Sequence, residues 1–237
     1  MDRPKIVCHM TTSIDGRVTG EFLGMAQCRR ATEVYYELNR AYAADAFACG
    51  RVTMEESFTG EWVPDLSAYT NEKYEREDYA ADRDAKFFAV AFDRRGRLGW
   101  MTPRIEDEDP GYGGAHIIEV LLESVADEYL AYLRKMGISY IFAGQKEMDM
   151  NLALAKLQDI FGIETLLLEG GSIINGAFAR AGLIDELSLV IAPVTADASD
   201  KPLFTDAQAD AFALVDVRRY DGGVVWMHYR KAQKTGV

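Results

Sequence analysis

The chain has 237 residues with an apolar fraction of 49%, which predicts one globular domain with a substantial core. Its 38 acidic and 26 basic residues give a net charge of −12, which argues against nucleic acid and anionic membrane surfaces as partners. The three cysteines form no CxxC pair, and no stretch reaches the ~18 apolar residues of a membrane span or resembles a signal peptide. We therefore expect a cytoplasmic protein with reduced thiols.

The first quarter of the chain alternates strand and helix patterns. Lys5 to Met10 predicts a strand, and the Asp15-Gly16 turn follows it at the end where open α/β sheets bind ligands. Apolar residues at helical spacing predict a helix from Thr32 to Ala44. Ala46 to Gly50 predicts a second strand, after which Arg51 begins a second strand-to-helix turn.

An acidic, tyrosine-rich excursion follows, at about residues 60–85. It has no clean periodicity and contains one proline, so we expect a surface segment with some helix. Two interpretations remain open from the sequence. The segment is either a solvated face or a substrate lid or dimer arm.

The rest of the chain repeats the alternation of strand and helix. Strands are predicted at residues 86–92, 116–122, 138–144 and 184–193, and helices at 125–136 and 151–161. Phe212 to Tyr220 and Val224 to Tyr229 predict a hairpin around Asp221-Gly222-Gly223. The order predicts a single α/β domain over residues 1–237, with helices flanking a mostly parallel sheet and an antiparallel hairpin at its C-terminal end.

The most informative stretch runs from Thr165 to Phe178. An apolar run predicts a buried strand, Gly170-Gly171 predicts a turn, and Ser172 heads a helical pattern. Glycines let a phosphate approach the backbone, and the first-turn N–H groups of a helix attract the anion. A Gly-Gly pair after a strand serves packing about as often, so the stretch needs support from elsewhere.

Several kinds of chemistry lack their motifs. His9, His116 and His228 stand alone, and no HExxH or PCxxC pattern occurs, so we expect no metal site. The chain contains no GxSxG elbow, no GxxxxGK[ST] loop and no GxGxxG fingerprint. His9 and His228 fall in predicted strands, where we expect satisfied core or edge residues.

Three separated stretches resemble one superfamily. The segment Gly50-Arg51-Val52-Thr53-Met54-Glu55-Glu56-Ser57 resembles the Gly-Arg-x-Thr-x-Glu-Ser segment of dihydrofolate reductases, with one extra acid inserted. Residues 169–176, 181–187 and 191–193 resemble the C-terminal signature of the riboflavin-biosynthesis pyrimidine reductases, the RibD C-terminal family. Residues 10–17 look like that family's Ser-Leu-Asp-Gly-Arg after its first strand. The resemblance implies a three-layer dihydrofolate-reductase-like fold.

The resemblance also implies NADPH as the donor of a hydride to a C=N or C=O carbon of a heterocyclic or sugar-derived substrate. The cofactor-binding positions expected with it are Thr11, Arg51, Val52, Thr53, Gly144, Gly170, Gly171, Ser172, Ile173 and Ile174. Asp15 and Glu169 are expected at the substrate, with Asp15 as the first choice for orienting or protonating it. Glu33 is a distant third, by analogy with the helix acid of dihydrofolate reductases. A homodimer is also implied.

Each of these residues has a structural alternative. Without a functional role, Arg51 would be a surface arginine, and Asp15 would be a turn residue that caps its own backbone. Glu169 would be a helix cap. The chain also departs from the family pattern: Ser57 replaces an acid, and residues 24–30 lack the side chains that hold the substrate's ribose phosphate. A dihydrofolate or pteridine reductase and a non-catalytic NADPH-binding sensor or structural dimer therefore remain as alternatives to the pyrimidine reductase.

Overall fold

The computed structural model describes residues 2–60, 62–70 and 72–232. Its strands are β1 (Lys5–Thr12), β2 (Ala46–Gly50), β3 (Phe88–Phe92), β4 (His116–Leu121), β5 (Ser139–Phe142), β6 (Thr165–Leu168), β7 (Glu186–Ile191), β8 (Phe212–Arg219) and β9 (Val225–Lys231). Its α-helices are α1 (Arg29–Tyr42), α2 (Arg51–Met54), α3 (Asp127–Met136), α4 (Met150–Phe161) and α5 (Ser172–Arg180). Short 3₁₀ turns cover Glu21–Gly24, Ala26–Cys28, Ser67–Tyr69 and Asp221–Gly223.

The strands follow the hydrogen-bonded order β5-β4-β3-β2-β6-β1-β7-β9-β8. The pairs β2–β3, β3–β4, β4–β5 and β1–β7 are parallel, whereas β7–β9 and β8–β9 are antiparallel. The predicted α/β fold, with its mostly parallel sheet and terminal hairpin, is confirmed. The described residues form two compact units, and the prediction of a single domain stays a prediction.

The first unit comprises residues 2–4 and 44–166. Every residue of β3 and β4 is buried, as expected for parallel strands covered on both faces. This coverage is why a continuous apolar run, without alternation, marked β3 in the sequence. The burial extends to Glu119, which lies in the middle of β4.

The acidic excursion covers the outer strand of the first unit. Tyr79 exchanges two backbone hydrogen bonds with Tyr140 of β5, at 2.9 and 2.8 Å, and Asp78 Oδ1 accepts the Phe142 N–H at 2.9 Å. Because β5 ends the strand order, these contacts occupy groups that an edge strand otherwise leaves exposed. Edge protection is a role that the sequence did not indicate. Glu61 and Asn71 of the excursion lie outside the described residues.

The second unit comprises residues 5–43 and 167–232. Its core joins the apolar face of α1 to β7 and β9. The buried members of this core are Phe22, Cys28, Ala31, Val34, Val190, Ala192, Val194, Val224 and Trp226. The three cysteines of the chain are buried and form no disulfide.

Most predicted element boundaries shift by a few residues. Helix α1 begins at Arg29 instead of Thr32, since two 3₁₀ turns lead into it and no side chain caps it. It ends at Tyr42 instead of Ala44, because Ala43 adopts the left-handed conformation with φ 44°. Helix α4 begins one residue earlier than predicted, with Asp149 accepting the Leu152 N–H as a cap.

A buried acid in β4 gives the first unit a pH-dependent stability. Glu119 Oε1 accepts hydrogen bonds from Trp100 Nε1 and the Tyr129 hydroxyl. Burial raises the pKa of Glu119 well above its ordinary value, and the nearby Asp93 carboxylate raises that pKa further. The folded protein therefore holds Glu119 in its neutral form at pH values where the unfolded chain has lost the proton.

We predict that Glu119→Gln removes this proton linkage. Stability of the parent protein falls as pH rises from the ordinary glutamate pKa toward the raised one, by about 1.4 kcal/mol per pH unit for one proton. The free energy of unfolding of the variant, from urea titrations between pH 5 and 8, is expected to lack this decline. Glu75→Gln, an exposed control, should follow the parent protein. Parallel curves for the parent protein and Glu119→Gln would contradict the prediction.

Candidate active site

In the second unit, a tight turn after β1 presents the Asp15 carboxylate. The Ser13 N–H donates to Arg17 O at 3.0 Å and the Gly16 N–H to Ser13 O at 3.0 Å, while Gly16 takes φ 78°. Asp15 Oδ1 accepts the Ser13 hydroxyl at 2.7 Å and the Ala196 N–H at 3.1 Å. The predicted Asp-Gly turn is therefore confirmed, and it holds a carboxylate whose side chain is 40% exposed.

These contacts fix the charge of Asp15. The hydrogen bond from Ser13 lowers the pKa of Asp15, and the Ala196 N–H and the Arg17 guanidinium lower it further. Arg17 Nε lies 3.9 Å from Asp15 Oδ2. A carboxyl group with a lowered pKa is ionised at neutral pH, so Asp15 is a hydrogen-bond acceptor there and a poor proton donor.

Glu169 lies immediately after β6 and is 6% exposed. Its Oε1 accepts a hydrogen bond of 2.7 Å from Nδ2 of Asn39, which is 5% exposed on α1. The Glu169 charge contributes to the raised pKa of the Cys8 thiol in β1, after the larger effect of burial. The structure thus brings α1, β1 and the end of β6 together around this carboxylate.

The Gly170-Gly171 turn continues from Glu169. Gly170 has φ 98°, a backbone conformation that residues with a side chain rarely adopt. The Gly170–Gly171 peptide bond is cis. A Cβ on Gly170 would lie 3.2 Å from the Met10 sulfur, so this turn approaches the last residues of β1 closely. Gly170 is buried and Gly171 is half-buried in front of α5.

Helix α5 begins at Ser172, as predicted, but its N-cap is Gly171, without a capping side chain. The Ser172 hydroxyl is buried and bonds to Pro202 O and to Thr205 Oγ1. The Ser172 hydroxyl thus anchors the segment 202–205 and does not cap the helix. The first-turn N–H groups of α5 have no partner within the helix. Ile173, in this turn, is 67% exposed.

Gly176 shows why α5 carries a glycine in its middle. A Cβ there would overlap the carbonyl oxygen of Thr205, because the helix packs directly on that backbone. Beside it, Asn175 is buried and donates to Leu203 O at 3.3 Å, while its Oδ1 has no partner among the described residues.

The remaining cofactor positions of the second unit are Thr11 and Ile174. Thr11 is half-buried in β1, opposite Val190 of β7, and Ile174 is half-buried in the first turn of α5. Together with Glu169 and the glycine turn, they line up at the C-terminal ends of β1 and β6.

In the first unit, Arg51, Val52 and Thr53 follow β2, where the strand-to-helix turn was predicted. Val52 is exposed and Thr53 half-buried. Arg51 Nη1 lies 2.5 Å from Glu55 Oε2. This ion pair is an i,i+4 contact that the sequence spacing allows but that we did not anticipate.

The helical run continues from α2 as a π-helical turn over Glu55–Thr59, closed by a hydrogen bond of 2.7 Å from the Gly60 N–H to Glu55 O. A π-turn is the usual way for a helix to accommodate one extra residue. The π-turn therefore lies in the segment where the sequence has one acidic residue more than the dihydrofolate reductase pattern.

Gly144 follows β5, at the other end of the four-stranded parallel array of the first unit. Three interstrand steps separate β5 from β2, or roughly 14 Å, so the structure does not bring Gly144 next to Arg51. Gly144 has φ 116°, and a Cβ there would overlap Glu147 O. The backbone geometry of this loop explains why position 144 is a glycine, and a bound ligand is not needed to explain it.

Glu33 lies on the exposed side of α1 and pairs with Arg30 at 3.1 Å. It borders a depression of about 400 Å³ in the second unit. The other residues that line this depression are Leu23, Gly24, Met25, Ala26, Arg29, Thr32 and Tyr36. The depression therefore lies between the 3₁₀ turns and the first two turns of α1.

The histidines of the strands are satisfied structural residues, as predicted. His9 bonds to Ser188 Oγ at 2.9 Å and to Tyr35 O at 3.0 Å, and burial lowers the pKa of His9 to about 4. His228 lies 3.0 Å from Glu186. The described ranges contain no His, Cys, Asp and Glu grouping suited to a metal ion, and no helix in them is long and apolar enough to cross a membrane.

Comparison with known proteins agrees with this architecture. Residues 111–226, just under half of the chain, match the RibD C-terminal domain family. A 2,5-diamino-6-ribosylamino-4(3H)-pyrimidinone 5′-phosphate reductase of Methanothermobacter thermautotrophicus is 37% identical over 106 residues, which cover 43% of this chain and 48% of that relative. The matched segment thus spans about half the length of the relative.

Solved structures extend the likeness in fold to nearly the whole chain. A pyrimidine reductase-like protein from Corynebacterium diphtheriae superposes with a TM-score of 0.70 at 17% identity, covering 98% of this chain and 93% of the other. Acinetobacter baumannii RibD superposes with a TM-score of 0.65 at 21% identity, covering 97% and 58%.

The strand order and the superpositions show the fold: an α/β protein with the dihydrofolate-reductase-like fold that it shares with Acinetobacter baumannii RibD. Residues 111–226 match the RibD C-terminal domain family, so the resemblance predicted from the sequence is confirmed.

We predict that Gly176→Ala destabilises the protein by about 1–3 kcal/mol, because the new methyl group must displace the Thr205 backbone. Gly24→Ala is the matched control, since a Cβ there meets open space and its φ is ordinary. Urea unfolding of both variants measures the difference. Equal free energies of unfolding would contradict the close packing of α5 on residues 202–205.

Proposed function

We propose that the protein is an NADPH-dependent reductase that acts on 2,5-diamino-6-ribosylamino-4(3H)-pyrimidinone 5′-phosphate or a closely related ribosylaminopyrimidine. The observation that carries this proposal is the buried Glu169 next to the Gly170-Gly171 turn, in a segment that matches the RibD C-terminal domain. The name of the Methanothermobacter relative supports the substrate.

The residues present fit a pyridine nucleotide. Helix α5 has nine residues and an N-terminus that no side chain caps, and the half-buried Gly171 in front of it has no side chain to keep a phosphate away from the backbone. Ser172, Ile173 and Ile174 would contribute N–H groups there, with Thr11 nearby on β1. The cofactor role of Arg51, which lies in the first unit, stays a prediction, since its guanidinium is paired with Glu55. When bound, the dihydronicotinamide ring would supply the hydride.

The substrate chemistry assigns different roles to the two carboxylates. A ribosylamino group in its open-chain imine form accepts hydride at the imine carbon and a proton at nitrogen. Asp15 is ionised at neutral pH, so it would orient the substrate by accepting hydrogen bonds from N–H or O–H groups. Glu169, fixed by Asn39, would accept a second hydrogen bond, and the proton would come from solvent.

We also propose that two copies associate through β8. This strand ends the sheet order, and Leu214 and Val217 on it are both 55% exposed. An uncovered strand edge with exposed apolar side chains favours pairing with a second copy of itself.

The activity is tested by mixing the protein, NADPH and the ribosylaminopyrimidine phosphate and following NADPH oxidation by absorbance. We expect turnover, and we expect Asp15→Asn to reduce kcat/KM by about 10²-fold, because a neutral amide orients the substrate less well. The affinity for NADPH, measured by fluorescence titration, should be unchanged. Since the Asp15 pKa is lowered, activity of the parent protein should not decline through Asp15 titration until the pH falls below the ordinary carboxylate range.

Glu21→Gln is the control for Asp15→Asn, as it removes an exposed negative charge from the same unit. Full activity in Asp15→Asn would remove its assigned role. Nucleotide binding without turnover would favour the non-catalytic alternative, and oxidation of NADPH with dihydrofolate alone would favour the pteridine alternative.

Introducing Glu at both Leu214 and Val217 is expected to convert a dimer into a monomer, because it places like charges at the paired edges. Sedimentation or light scattering measures the mass. Gln208→Glu adds the same charge outside the strand and should leave the dimer intact. A monomeric parent protein would refute the proposed assembly.

A further inference from the structure

The partner of Glu169 is an amide from a distant part of the chain. Asn39 Nδ2 donates to Glu169 Oε1 at 2.7 Å, across 130 residues of sequence. Both side chains are more than nine-tenths buried, so bulk water competes little for this bond. An asparagine inside a helix lowers helix propensity, which indicates a tertiary role at this position instead of a local one.

Helical spacing places Asn39 on the same side of α1 as two residues that line the depression beside this helix. Asn39 follows Tyr36 by three residues and Thr32 by seven, so the three share one face of α1. Tyr36 and Thr32 line the depression of about 400 Å³. The same helix face therefore borders this depression and, one turn further on, holds the Glu169 carboxylate.

The chemistry of an amide suits this task. The Nδ2 group of asparagine only donates hydrogen bonds and carries no charge at any pH. It can therefore fix the orientation of the Glu169 carboxylate and keep that carboxylate an acceptor, without neutralising its charge as a lysine or arginine would.

We propose that Asn39 is a positioning residue of the reductase: it holds Glu169 in the orientation in which the carboxylate accepts a hydrogen bond from the substrate. This proposal rests on the function proposed above. It adds a residue of α1 that lies outside the stretches resembling the RibD family, and it makes the requirement for a neutral donor at this position testable.

Asn39→Asp is the sharpest test, because it replaces the donor by a second carboxyl group at hydrogen-bond distance from Glu169. Two carboxylates this close share one proton, which raises the pKa of the pair. At low pH the introduced carboxyl group is protonated and still donates to Glu169, so kcat/KM should stay near the parent value. As pH rises and the shared proton leaves, kcat/KM should fall about 10- to 100-fold.

The Kd for NADPH should remain unchanged across the same pH range. Asn151→Asp, an exposed asparagine changed in the same way, is the matched control and should keep the parent pH profile. Asn39→Ser, which shortens the side chain without adding charge, should raise KM about tenfold at every pH. It provides the test if Asn39→Asp does not fold.

The outcomes separate the two proposals. A parent protein that binds no NADPH and reduces no ribosylaminopyrimidine overturns the proposed function, and the role of Asn39 with it. An active parent protein, with Asn39→Asp showing the pH profile of Asn151→Asp or Asn39→Ser showing an unchanged KM, overturns the positioning role alone.

Discussion

The hydrogen bond between Asn39 and Glu169 is the constraint on which the candidate site depends. A carboxylate that is 6% exposed is costly unless donors face it, so α1 and the end of β6 must keep their positions together. The glycine turn and α5 follow Glu169 directly in the chain, so their positions depend on the position of Glu169. The close approach of Gly170 to Met10 fixes the same turn against β1. The position of the proposed nucleotide-binding turn therefore depends on a buried hydrogen bond.

The sequence predicted those parts of the fold that local patterns determine. Strand β3 was recognisable because burial on both faces demands a continuous apolar run. The turns at Asp15-Gly16 and Gly170-Gly171 were recognisable because their backbones need glycine. The start of α1 was misplaced because no capping side chain marks it. The partnership of Asn39 with Glu169 joins residues 130 apart and leaves no periodic signal, so only the folded chain reveals it.

Charge distinguishes the two strand-to-helix turns. The turn before α5 offers uncharged backbone groups, whereas the segment after β2 offers an arginine already engaged with Glu55. The π-turn over Glu55–Thr59 absorbs the additional acid without breaking the helical run. Any anion that binds Arg51 would have to compete with the Glu55 carboxylate.

The two strands that end the strand order, β5 and β8, differ in whether other described residues cover them. The excursion that bonds to β5 blocks further strand addition there, while no other strand of the described residues pairs with the outer edge of β8, on which Leu214 and Val217 are exposed. A protein whose sheet has two uncovered edge strands can add further copies at both edges and grow into fibrils. With the β5 edge covered, the antiparallel pairing proposed for β8 would stop at a closed pair of two copies. The contacts of Asp78 and Tyr79 with β5 would then limit assembly to that pair.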